Sequence, residues 1–315
     1  MMLNRRHIRV KVMQTMYAFK GSESDDFSKD QKFLLFSIDN MYNLYLLLMS
    51  LLIEVQKRAD KDLQKKQKKH LATKEDKDPN RKFVNNQLLK VLKENLSLKD
   101  QFDANKINNW QLDGEYIDII FKAILSSDLY KEYMQTRVSS FKEDKNFIVD
   151  VFKDIIAPND KLYDYMEDKN LTWLDDLPTV NTTILKLLRK VKETATENYF
   201  TPKLYKDAED KQFAINLFKK TFLNSTAINK EIEQKTKNWD SDRIANVDYV
   251  LLQMAICELN NFPSIPVKVT INEYLEISKE YSTPKSSIFI NGILDKLVKE
   301  YEAAGTLKKV GRGLM

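Results

Sequence analysis

Residues 238–303 read NWDSDRIANVDYVLLQMAICELNNFPSIPVKVTINEYLEISKEYSTPKSSIFINGILDKLVKEYEA. The spacing of apolar residues predicts three helices, over Ser241–Asn260, Val267–Tyr281 and Pro284–Glu302. A Pro-bearing turn at Phe262–Pro266 separates the first two, and Ser282-Thr283-Pro284 breaks the last two apart. Gly292 lies inside the third helix, where glycine costs about 1 kcal/mol against alanine. That cost predicts the close approach of another helix. Asn272 and Glu273 open the second helix and are expected to bond to backbone groups of the preceding turn.

Upstream of this stretch the chain repeats a unit that closes on tryptophan. Phe83 precedes Trp110 by 27 residues, while Phe147 precedes Trp173 and Phe213 precedes Trp239 by 26. The second and third copies align without a gap at an offset of 66, with ten identities that include Asp144 with Asp210 and Phe152 with Phe218. Each unit reads as a long helix, a tryptophan corner and another helix. A tryptophan there wedges between helices and buries a large area. The middle of the chain is therefore expected to consist of helical hairpins of one type.

At the other end, residues 4–20 form a helix in which Ile8, Val12, Thr15, Met16 and Phe19 share one stripe, with Asn4 as a candidate N-cap. A second helix is predicted over Ser28–Arg58. Its apolar run of about a dozen residues is too short for a bilayer, so a buried core helix and no membrane partner are expected. The Lys-rich residues 57–82 read as a helix fraying into a mobile linker that ends at Pro79-Asn80.

Charge is segregated along the chain. Residues 1–20 carry +5 without an acid, residues 57–82 carry +6 and residues 305–315 carry +3, which leaves −9 elsewhere against a total of +5. An acidic body with three basic segments points to a polyanionic partner. The single cysteine, Cys257, excludes an intramolecular disulfide and reads as a small buried hydrophobe. No phosphate-binding glycine loop, nucleophile elbow or zinc-binding helix motif occurs. His7 and His70 lie in basic segments and make poor metal ligands. An enzyme, a cofactor and a metal are not expected. Without a signal sequence at its N-terminus, the chain is expected in the cytoplasm.

The two ends together resemble the NusB family of bacterial transcription antitermination factors. At the N-terminus the resemblance rests on RRHIRVKVMQTMY. At the C-terminus it rests on an ordered series: Trp239, Arg243, Asp248, Leu251, Glu258-Leu259, Pro266, Ile271-Asn272-Glu273, Ser286, Phe289, Asn291-Gly292, Leu294-Asp295. It covers about 20 residues at the start and about 95 from Asp210 onward. It implies an all-α NusB-like helical bundle with additional helical hairpins inserted after the first helix. The chain then divides into a basic helix (1–20), an enlargement (21–209), a core (210–303) and a flexible basic tail (304–315).

The resemblance also implies function. The family binds the single-stranded boxA element of ribosomal RNA leader transcripts with NusE, a ribosomal small-subunit protein, as part of an antitermination complex on RNA polymerase. By resemblance Arg5, Arg6, Arg9, Gln14 and Tyr17 become the RNA candidates. These side chains are chemically suited to RNA, since arginine forks bind phosphates, Gln reads base edges and Tyr stacks on unpaired bases. Glu258, Ser264 and Pro266 become the candidates for the protein partner. Two departures stand out: His7 occupies a position of the arginine run, and Ser264 stands where many relatives have Asp. Three to five phosphate contacts predict a slope of log K against log salt of roughly −2 to −3.5. Alanine at Arg5, Arg6 and Arg9 is expected to weaken RNA binding without loss of helix. The alternative is a helical interaction scaffold that has lost RNA binding. An RNA cytosine methyltransferase, which can carry such a domain at its N-terminus, would need catalytic cysteines outside the match, whereas Cys257 lies inside it.

Overall fold

The computed structural model describes residues 2–21, 27–71, 73–236 and 244–314. Trp239 and Arg243 of the sequence motifs lie outside the described residues. The described residues are helical and contain no strand, which meets the all-α expectation. The chain begins with α1 (Arg5–Gly21) and the 41-residue α2 (Phe27–Gln67). Shorter helices follow: α3 (Lys74–Lys77), α4 (Gln87–Glu94), α5 (Leu96–Ala104), α6 (Asn109–Leu112), α7 (Gly114–Ser126) and α8 (Asp128–Tyr133). Then come α9 (Phe141–Val151), α10 (Asp160–Lys169), α11 (Leu177–Lys190), α12 (Ala208–Leu223) and α13 (Ser225–Lys235). The last three are α14 (Asn246–Asn261), α15 (Val267–Tyr281) and α16 (Ser286–Ala303).

These helices form two compact units: one of Leu3–Ile38 with Tyr205–Met315, the other of Asp39–Leu204. α2 is continuous; its turns up to Ile38 count with the first unit and the remainder with the second.

In the first unit α14 is the central helix. Every residue from Val250 to Leu259 is buried, the signature of a helix surrounded on all sides. α1, α12, α15 and α16 pack against it. Asp248 of α14 accepts a 2.7 Å hydrogen bond from Ser286 Oγ of α16, so two residues of the family motif meet across 38 positions. Cys257 is buried, and that burial pushes its thiol up to about 11, as fits a small hydrophobe. Phe19, Phe27, Phe218 and Phe222 make a chain of ring contacts at 4.9 to 5.3 Å. Gly292 departs from expectation. It is exposed, and a Cβ there would meet nothing within 4 Å, so no helix approaches it closely.

In the second unit α2 is the spine. Residues 44–53 are all buried. Among the described residues α2 is the helix long and apolar enough to cross a membrane, but 78% of its apolar window is buried inside the protein, which makes it a core helix. Both described tryptophans dock on it by the same device. The indole N–H of Trp110 reaches Leu47 O at 3.2 Å and Ser50 Oγ at 2.9 Å. That of Trp173 donates to Asn40 O at 2.9 Å. Like the tryptophans, the repeat's aspartates are both buried, though with different partners. Asp144 accepts from the Gln87 backbone N–H at 2.7 Å and from Tyr133 and Ser139, whereas Asp210 belongs to an ion pair described below.

The 57–82 segment is more ordered than its composition implies. α2 runs nine residues past Arg58, to Gln67. Lys82 is buried, with its ammonium donating to Tyr133 O, Thr136 Oγ1 and Glu143. Arg81 pairs with Asp60 at 2.6 Å. A buried ammonium needs these acceptors to offset its lost hydration, and they pin the end of the segment.

Candidate RNA and partner interface

α1 begins where Asn4 Oδ1 accepts the backbone N–H of His7 at 2.9 Å, the capping bond its sequence predicts. The apolar stripe Ile8, Val12, Met16 turns inward, and so do Arg9, Lys11 and Thr15. The basic helix thus sends part of its charge into the protein.

Arg9 is 2% exposed and Glu258 fully buried. They meet through two bonds, Nε to Oε2 at 2.8 Å and Nη2 to Oε1 at 2.6 Å. Glu258 also accepts from Thr270 Oγ1 at 2.9 Å and Tyr274 Oη at 3.1 Å. The Arg9 guanidinium lies 5.1 Å from the Phe213 ring centroid. Burial works against the Arg9 charge, but the Glu258 carboxylate outweighs it and raises the pKa. Arg9 and Glu258 are thus an internal strut that fixes α1 on α14 and α15. Neither presents its charged end to a ligand.

Arg5 and Arg6 stay near the surface. Arg6 forms a fork with Glu273 of α15, at 2.9 and 3.0 Å, and its side chain is 40% exposed. Glu273 therefore turns to Arg6 and not to the Phe262–Pro266 turn. Arg5 bonds Asp210 at 3.0 Å and lies over Phe213 at 5.2 Å. His7 is half-buried. Burial first, then the charges of Arg6 and Lys11, lower its pKa, so at neutral pH it adds no permanent charge where an arginine would. Gln14 is half-buried and Tyr17 is 47% exposed. At 3.6 residues per turn Arg6 and Tyr17 fall within about 20° of one another and Gln14 within about 80°. Arg6, Gln14 and Tyr17 thus lie on one side of α1, although Val10 and Met13 on the same side are buried.

The arginine end of α1 and the turn after α14 enclose an open groove of about 660 Å³. Arg5, Arg6, Ser264, Ile265, Pro266, Val269 and Glu273 line it, with Arg9 at its base. Two of the three partner candidates, Ser264 and Pro266, therefore share a groove with three of the RNA candidates, Arg5, Arg6 and Arg9. Beside it the C-terminal segment folds back. Val310 N–H donates to Pro263 O at 3.0 Å and Lys309 Nζ to Phe262 O at 3.2 Å. Gly313 is buried against the same turn, where a Cβ would stand 1.9 Å from Pro263 O. The expectation of a free tail thus gives way to a seated one, because glycine lets the backbone approach this closely.

Sequence reasoning missed the two arginine–glutamate pairs. A signal for the inner one was present: Glu258 is a lone acid in the run VLLQMAICEL, and a buried carboxylate requires a cation.

The NusB family model matches residues 181–299. The transcription antitermination protein NusB of Salinibacter ruber is 40% identical over 112 residues, which are 36% of this chain and 70% of that protein. The chain belongs to the NusB family. The NusB of Chloroherpeton thalassium is 40% identical over 109 residues, 35% of this chain and 52% of the relative. That of Geotalea daltonii is 46% identical over 85 residues, 27% and 59% of the two chains. The chain thus spans between about half and 70% of these relatives. The solved structure of T. maritima NusB aligns with 26% identity over 52% of this chain and 94% of its own, at a TM-score of 0.29. The family match opens inside α11, some thirty residues before Asp210, and takes in most of the first unit. α1 lies outside it.

Proposed function

We propose that this NusB-family chain is a cytoplasmic, non-catalytic transcription antitermination factor. It binds boxA-type single-stranded RNA together with a NusE-like ribosomal protein, joins an antitermination complex on RNA polymerase and supports ribosomal RNA transcription. The observation that carries this reading is the groove that Arg5 and Arg6 share with Ser264 and Pro266, a place where RNA and protein can be held side by side. The RNA face is the arc of Arg6, Gln14 and Tyr17, with Arg5 at its edge. Arg9 supports that face from within. With two or three surface cations on phosphates, the salt slope falls to roughly −1.4 to −2.

One observation favours the scaffold reading: Arg5, Arg6 and Arg9 each pair with an acid in the folded chain. The half-exposed Arg6–Glu273 pair, however, is worth at most about 1 kcal/mol, which a phosphate can displace, whereas Arg5 pairs with the buried Asp210. Fluorescence anisotropy with boxA-type RNA, with and without the NusE-like protein, decides. Binding that the partner strengthens and salt weakens supports the proposal. Partner binding without RNA affinity supports the scaffold.

A further inference from the structure

In the second unit α2 outlasts the core that it organises. Ala59 is its last buried residue, and the helix continues to Gln67. On this extension Lys61 and Lys65 are exposed; Lys57, one turn before it, is exposed and pairs with Glu54 at 2.6 Å, and Lys68 is exposed just past the helix end. The spacing of four places Lys57, Lys61 and Lys65 on one stripe, about 12 Å long at 1.5 Å per residue, and Lys68 follows at its end. Like charges four apart destabilise a helix, so the stripe costs the fold something. It also stays largely uncompensated. Lys61, Lys65 and Lys68 have no acidic partner among the described residues, because the nearby acids are engaged elsewhere: Asp60 with Arg81 at 2.6 Å and Asp62 with Lys66 at 2.8 Å.

The stripe leads into two adjoining grooves of about 550 and 360 Å³, which have Lys57 and Lys93 in common. Lys90, Lys93 and Lys99 are exposed around them, again without an acidic partner among the described residues. The smaller groove has an apolar floor in which Phe102 and Ile107 are half-buried. Asn85, Gln87, Asn108 and Gln111 stand along the two grooves.

We propose that this lysine stripe and its grooves bind single-stranded RNA, as a second contact surface apart from the arc on α1. The proposal rests on the reading that this chain binds RNA. Cations tracking a backbone beside an aromatic floor are how single strands are held without sequence preference. The side-chain amides favour RNA over an acidic peptide, since they can meet base edges, and the floor can take a base.

The test uses the full chain and two probes: boxA-type RNA and a polyuridine of about fifteen nucleotides, within the site sizes of single-strand binders. Lys61→Gln, Lys65→Gln and Lys93→Gln together should lower polyuridine affinity at least about tenfold at about 0.1 M salt and flatten its salt slope by about 2. Phe102→Ala should reduce photocrosslinking of uridine. Arg6→Ala should weaken boxA binding and leave polyuridine binding intact, so that failure of the α1 site and failure of the lysine surface are told apart. An unaltered thermal midpoint shows that the exposed lysine variants fold. The proposal is overturned if the wild-type chain does not bind polyuridine, if the triple variant binds it with unchanged affinity and slope, or if polyglutamate displaces it at equal concentration.

Discussion

Arg6 and Glu273 grip each other through two parallel hydrogen bonds, 2.9 and 3.0 Å long, across 267 positions of sequence. The pair joins α1 to α15 at the edge of the groove. Its half-exposed setting makes it a weak stabiliser and a competitor for whatever anion approaches Arg6. Glu273→Gln should therefore raise RNA affinity two- to threefold, with a change in stability within about 1 kcal/mol. Arg6→Ala should lower affinity about tenfold. Anisotropy titrations and urea unfolding of both variants check this. Equal loss of RNA binding in the two would mean that the pair itself, and not the freed arginine, makes the contact.

The inner pair behaves differently. Arg9 and Glu258 are buried, so removing either leaves the other charge without its partner. Arg9→Ala or Glu258→Ala should cost about 3–5 kcal/mol, read as a fall in the urea midpoint at unchanged m-value. Arg9→Met with Glu258→Leu should recover much of that loss. Alanine at Arg9 is therefore expected to cost the fold more than alanine at Arg6, whose partner is only partly buried.

Two glycines should respond in opposite directions. Gly292 is an exposed helical residue facing open space, so Gly292→Ala should stabilise the chain by about 1 kcal/mol. At Gly313 an alanine Cβ would collide with Pro263 O at 1.9 Å. Gly313→Ala should lift the C-terminal segment off the turn, and hydrogen exchange at the Val310 amide should quicken.

Trp110 and Trp173 each give α2 an indole hydrogen bond from a buried position. Replacement by alanine at either should cost about 3–5 kcal/mol. Because the two corners use separate carbonyls, the losses in a double variant should add within about 0.5 kcal/mol. Chemical denaturation followed by tyrosine fluorescence measures both.

Much of the helical order was legible from local signals. The helix over Val267–Tyr281 has the ends that its periodicity predicts, because a Pro-bearing turn and a Ser-Thr-Pro break bound it. Asn4 capped as its side chain allows. Long-range pairing was not legible. Arg9 carries the same charge as Arg5, and only Glu258, 249 positions away, separates a strut from a surface group. Lys82 looked like the end of a solvated linker because its acceptors at Tyr133, Thr136 and Glu143 lie more than fifty residues on. The shared groove of Arg6 and Pro266 could be reached by family resemblance, since no periodicity links the two ends of a chain.

Asn40 and Leu47, the carbonyls that receive the two tryptophans, are seven residues apart. Seven residues bring a helix back to within about 20° of its starting azimuth. α2 therefore acts as a ruled rod on which lateral hairpins hang at intervals of two turns. One residue inserted between the two marks would swing the second through about 100° and leave its tryptophan facing the wrong side. Growth of this part of the chain is quantised: the spine can lengthen between its docking points only in steps close to whole helical turns, such as about four, seven or eleven residues.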